Sequence, residues 1–191
     1  MNRREAIRNV AILLGSAVSA STLSALEGCN PKGPDNYALQ APETKKMLAE
    51  IVETIIPETD TPGAKTAKVD EFIALMLNDC YKPEDQQLVL DGLKKIDDAA
   101  QKQFKKPFVD LTAEQKTGIL TEIDKERIAY NKRENKKEKD PTHYFQILKE
   151  LTLTGYFTSE AGATKALRYV QVPGKYEGCI PYTKGQKAWA M

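Results

Sequence analysis

Reactive side chains are few in this 191-residue chain and widely separated. His143 is the only histidine, so neither a multi-histidine metal site nor a histidine-paired nucleophile is available unless carboxylates do the work. Its position at the start of an apolar stretch suits a capping or packing role better than a ligand's. The carboxylates with the most suggestive spacing are Glu58 and Asp60 in "IIPETDTPGAK", Ile55 to Lys65, set among Thr59, Thr61 and Pro62. Such oxygens are what a hard cation takes, yet two carboxylates are few for a calcium cage. The plainer reading is a turn: Pro57 ends a helix, Asp60 or Thr61 bonds locally, and Gly63 permits an unusual backbone angle.

Other cofactor chemistry lacks its motifs. The chain has no Cys-x-x-Cys-His for covalent haem, no Gly-x-Gly-x-x-Gly for a dinucleotide and no Gly-x-x-x-x-Gly-Lys for phosphate. No redox cofactor bound directly by this chain is therefore expected. Lys and Arg number 28 against 27 Asp and Glu, a net charge of +1, which gives no general attraction to nucleic acid. The run "NKRENKKEKD" mixes signs and reads as a solvated helix end or loop.

The elements that would position these groups are helical. In "ETKKMLAEIVETIIP", Met47, Leu48, Ile51, Val52, Ile55 and Ile56 share one helical face, and Pro57 stops the run. "VDEFIALMLNDCY" repeats the pattern with Val69, Phe72, Ile73, Met76 and Leu77. A third helix is expected from about Pro83, carrying Val89, Leu93, Ile96, Ala100 and Phe104, with Gly92 weakening its middle. A fourth starts at Thr112, whose side chain can cap it while Gln115 reaches back, and aligns Ile119, Leu120, Ile123 and Tyr130. A fifth follows Asp140 and Pro141 with Tyr144, Ile147, Leu148 and Leu151. Each has one apolar stripe and must pack on the others, so the expected fold is all-α, a single compact domain of about five helices. "TSEAGATKAL" could add a short helix, whereas "RYVQVPGKYEGCIPYTKGQKAWAM" is too rich in Pro and Gly for a long one and reads as an extended tail.

The N-terminus reads as an address. Arg3, Arg4 and Arg8 precede an uncharged stretch from Asn9 to Leu26, the layout of a signal peptide. Small polar residues dilute that stretch below the roughly 20 predominantly apolar residues a permanent membrane helix needs. "NRREAIR" resembles the bacterial twin-arginine export signal, with Ala6 where that signal usually has an aromatic residue. "LEGC", Leu26 to Cys29, resembles a lipoprotein processing box, with Glu27 unusual inside it, and would make Cys29 a lipid anchor to a membrane surface. "NPKGPDNYALQAP" follows as a tether. With Cys29 set aside, Cys80 and Cys179 remain as an even pair outside the reducing cytoplasm, and a disulfide between them is expected to pin the tail. In the chain-entropy model such a link would add about 4 to 5 kcal/mol.

The order of an arginine-pair leader, then "ETIIPETDTPGAKTAKVDEFI", then "LTLTGYFTSEAGATKALRYVQVPGKYEGCIPY", resembles the small subunit (subunit three) of bacterial gluconate 2-dehydrogenase over nearly the whole mature chain. The resemblance implies an accessory subunit, not an enzyme by itself. It implies a large flavin-containing partner of the glucose-methanol-choline oxidoreductase class, which holds the FAD. A third, cytochrome c subunit with haem c commonly completes a membrane-associated periplasmic complex that oxidises sugars or sugar acids. Residues 1–28 are then a twin-arginine-type signal peptide, 29–41 a linker and 42–191 the helical accessory domain. The expected partner interface joins Glu58, Asp60, Pro62 and Gly63 to the tail aromatics Tyr169, Tyr176, Tyr182 and Trp189, because aromatic anchors concentrate binding energy. Tyr156 and Phe157 are open between that interface and the core. Two other function classes stay in play: an exported enzyme working through Glu58 and Asp60, and a stand-alone binding or structural lipoprotein.

Overall fold

The computed structural model describes residues 37–133, 137, 140–172, 174–175 and 178–190. Arg3, Arg4, Cys29 and Tyr176 lie outside the described residues. A short helix α1 (Tyr37–Gln40) leads into five long ones: α2 (Pro42–Ile55), α3 (Val69–Cys80), α4 (Pro83–Phe104), α5 (Ala113–Lys132) and α6 (Tyr144–Thr158). A 3-10 turn (Phe108–Asp110) precedes α5, and a π-helical segment (Gly162–Ala166) follows α6. No strand occurs among the described residues, so the all-α expectation holds.

The helix boundaries follow local chemistry. Pro42 and Pro83 sit in the first turns of α2 and α4, where a missing N–H costs nothing. Thr112 caps α5 by accepting from Gln115 N at 3.4 Å, while Gln115 Oε1 accepts from Thr112 N at 3.1 Å, the reciprocal box read from the sequence. His143 caps α6: its Nδ1 accepts from Phe145 N at 3.2 Å.

Helix α6 is the hub, packing against α2, α3, α4 and α5. It therefore buries a wide face, Tyr144, Phe145, Ile147, Leu148, Leu151, Thr152, Gly155 and Tyr156, broader than a single stripe. Ile51, Val52, Ile73, Leu77, Val89 and Ile96 meet it in one contiguous core. Gly92 admits this hub: a Cβ there would stand 2.2 Å from the Tyr144 ring. Gly92, expected to weaken α4, thus serves packing, and burial pushes the Tyr144 hydroxyl up to about 12.

Two expectations need correction. Leu39, in the stretch read as a tether, is fully buried in the core, so folded chain begins before residue 42. Cys80 and Cys179 are separate free thiols, both exposed, and no disulfide pins the tail. The reason is how the tail is held. Arg168 N donates to the Ala188 carbonyl at 2.8 Å and Ala190 N to the Arg168 carbonyl at 3.0 Å, forming an isolated parallel bridge between Arg168 and Trp189. The Arg168 guanidinium stacks 4.1 Å from the Trp189 ring centroid. The tail is thus tied to its own beginning, with Cys179 in the exposed loop between and Cys80 at the exposed end of α3.

Candidate docking surface

The loop from Ile56 to Lys68 joins α2 to α3 and is held by side chains of α2 and α6. From α2, the Glu53 carboxylate accepts from Glu58 N at 2.9 Å and from Lys65 N at 3.1 Å. It thereby satisfies two backbone donors that no helix or strand provides for. Also from α2, Glu50 accepts from Lys65 Nζ and from Lys116 Nζ of α5, each at 2.6 Å. From α6, the Tyr156 hydroxyl donates to the Pro62 carbonyl at 2.7 Å.

Gly63 is the residue that lets this clasp close. It is buried, and a Cβ on it would stand 2.6 Å from both Glu53 carboxylate oxygens and 2.7 Å from Glu58 N. The turn expected of it uses its small size, not a left-handed backbone: the described non-glycine residues with positive φ are Lys68 and Lys105, and Gly185 is the glycine. Of the expected interface residues, Gly63 is thus the buried support on which the exposed crown of the loop rests.

Charge supports the same arrangement. Burial alone would push the Glu50 carboxyl up, but the hydrogen bonds from Lys116 and Lys65 together outweigh it and hold the group below its usual value. Lys65 is pushed up in turn, chiefly by its bond to Glu50. Lys116 is the buried member, its side chain 10% exposed, with the Phe108 ring centroid 6.0 Å from Nζ. The α5 stripe held a sign of this: Lys116 precedes Ile119, Leu120 and Ile123 at helical spacing.

The remaining expected interface residues divide. Glu58 and Asp60 are exposed; Glu58 Oε2 accepts from Thr66 Oγ1 at 3.1 Å, and a turn bond runs from Thr59 N to the Thr61 carbonyl. Pro62 is half-buried because Tyr156 holds it. Tyr156 belongs to the core at 2% exposure, whereas Phe157, edge-on to it at 5.2 Å, is 41% exposed. Among the described residues no cluster of three metal-binding side chains forms.

After α6 the chain presents apolar groups outward. Tyr169 is 54%, Tyr182 82% and Trp189 46% exposed, and Val170, Val172 and Ile180 join them. These residues occupy a loop closed at its foot by the Arg168–Trp189 bridge and by Lys187 Nζ, which donates to the Lys165 carbonyl. The clasped loop adjoins the π-helical segment that leads into the tail. Pro62, Thr66 and Lys68 on one side and Ser159, Glu160 and Lys165 on the other line a cleft of about 330 Å³. Helix α6 thus supplies both Tyr156, which holds the clasped loop, and the chain that continues into the tail.

None of the described helices is long and apolar enough to cross a membrane. No curated protein and no solved structure matches the chain significantly. One family model does, that of gluconate 2-dehydrogenase subunit 3, over residues 42–174, a span covering α2 to α6, the clasped loop and the start of the tail. With well over half of its length matched, the chain belongs to the gluconate 2-dehydrogenase subunit 3 family.

Proposed function

We propose that this chain is a non-catalytic accessory subunit of an exported, membrane-associated, flavin-dependent sugar or sugar-acid dehydrogenase. It binds the large subunit of the glucose-methanol-choline class, which carries the FAD, and aids that subunit's export, docking and stability. In complexes of this kind a cytochrome c subunit with haem c is commonly the third member. Family membership supports the place in a dehydrogenase complex. The observation that carries the docking role is the tail loop, whose aromatic and branched side chains face solvent from a foot fixed by the Arg168–Trp189 bridge. A small domain gains nothing in stability from exposing them, and exposed aromatics on a fixed foot are what a partner buries as anchors.

Export follows from the leader in this reading: Arg3 and Arg4 address a route that carries folded proteins, so a bound, FAD-loaded partner travels with this chain. Cys29, once lipidated, holds the pair on the periplasmic side of the membrane. Affinity purification of the chain from its native membrane, followed by an absorbance scan, tests the reading. A flavin spectrum in the eluate is expected. It should fall at least tenfold in a Tyr169→Ala/Tyr182→Ala variant, matching an anchor loss of about 1.4 kcal/mol or more. Lysines at positions 3 and 4 should strand the oxidoreductase in the cytoplasm. An eluate without flavoprotein overturns the proposal and leaves a stand-alone binding or structural lipoprotein.

A further inference from the structure

The single histidine occupies a position that the docking role does not use. His143 is 8% exposed, stacked on Tyr144 at 4.6 Å between ring centroids and tilted against Tyr130 at 5.5 Å. Its Nδ1 accepts from Phe145 N, the first-turn amide of α6. Accepting there leaves the ring proton on Nε2, which faces Glu126 Oε1 at 3.9 Å.

We infer that His143 is a proton-operated release for the start of α6: the neutral ring caps the helix, and the protonated ring cannot. Protonation turns Nδ1 from acceptor into donor, so two N–H groups point at each other where one hydrogen bond had been. It also places a cation at the positive end of the helix dipole. Serine, threonine, asparagine and aspartate at this position cap without such a switch, because none of them loses its acceptor near neutral pH.

The surroundings do not rescue the charged ring. From α5, Glu126 and Asp124 favour the cation while Arg127 opposes it, and Tyr130 offers an aromatic edge; from α4, Lys95 opposes it; on α6 itself the neighbour is neutral Tyr144. Glu126 is the nearest carboxylate, but its side chain is 70% exposed and its attraction is screened by water. Burial dominates and holds the imidazole below its usual value of 6.5.

The sign follows. With the folded ring harder to protonate than the unfolded one, the unfolded chain takes up the proton first as pH falls, so stability is full above about pH 6.5 and declines below it until the folded ring protonates too. Since α6 is the hub and supplies Tyr156 to the loop clasp, loosening its first turn weakens the element on which both loops depend.

The test compares the full chain with His143→Asn, which keeps a capping acceptor and removes the titration. Between pH 7.5 and 5 the unfolding constant of the parent should rise by up to tenfold per pH unit below about pH 6.5, the limit for one proton. That of His143→Asn should stay flat apart from the carboxylate slope common to both. In the parent, the Phe145 amide should lose hydrogen-exchange protection in step with ring protonation followed by NMR. This second readout needs no variant and decides the matter if His143→Asn does not fold. Parallel pH profiles for the two chains, a ring titrating at or above 6.5, or a Phe145 amide that stays protected through the titration overturns the inference.

Discussion

The loop from Ile56 to Lys68 and the loop from Arg168 to Trp189 both leave regular secondary structure, yet they solve the problem of loose backbone in opposite ways. The first is bound along its length. Glu53 takes two of its amides, Tyr156 takes a carbonyl and Glu50 ties Lys65 to α5, while Gly63 and Ala64 are buried. The second is closed at its foot by the Arg168–Trp189 bridge, and its apolar side chains Tyr169, Val172 and Tyr182 are exposed. Polar residues written into a loop can therefore be spent inside the molecule, while tyrosines and valines written into a tail can be left outside it. The first arrangement gives a fixed platform; the second gives contact area still available to a partner.

That contrast breaks most visibly at Glu50. Glu50→Ala leaves Lys116 nearly buried without its partner and frees Lys65, and the expected cost is about 3 kcal/mol, read by urea unfolding. The same pair predicts acid sensitivity. Because Glu50 is held below its usual value, its contribution is present above the unfolded value of about 4.5 and is lost as pH falls through the folded one, so Glu50→Ala should flatten the unfolding profile below pH 5. Next in size is Gly63→Val. Its side chain would displace the Glu53 carboxylate from the Glu58 and Lys65 amides, for a loss of about 2 kcal/mol in the same measurement. A Gly63→Val chain as stable as the parent would mean that the clasp does not hold the loop.

What could be read in the sequence was local. Pro83, the Thr112/Gln115 box and the stripes through Ile51, Ile73 and Ile96 act within a turn or two, so spacing reveals them without knowledge of the fold. The clasp was hidden because its parts meet only after packing: Glu50 lies 66 residues from Lys116, and Tyr156 lies 94 from Pro62. Gly63 read as a turn-former because sequence shows the missing side chain but not the carboxylate that fills its place. Leu39, the one large aliphatic residue in a short stretch between Pro34 and Pro42, carried no period to mark it as core. The cysteine pair misled because parity and compartment say nothing about where two chain segments run, and the tail runs back to Arg168.

The smallest effect on stability is expected in the tail, and it is the sharpest discriminator. Tyr182 is 82% exposed, so Tyr182→Ser should change unfolding free energy by less than about 0.5 kcal/mol. Trp189→Ala, which removes the ring under Arg168, should cost no more than about 1 kcal/mol. Both should nonetheless reduce flavoprotein recovery, Tyr182→Ser by deleting an anchor and Trp189→Ala by opening the foot that presents the others. Gly63→Val should show the reverse pattern, a less stable chain whose folded fraction still binds. If instead the tail variants bind normally and Gly63→Val does not, the roles exchange: the clasped loop, with Glu58 and Asp60 exposed on its rigid crown, is the recognition surface, and the outward aromatics of the tail serve another contact.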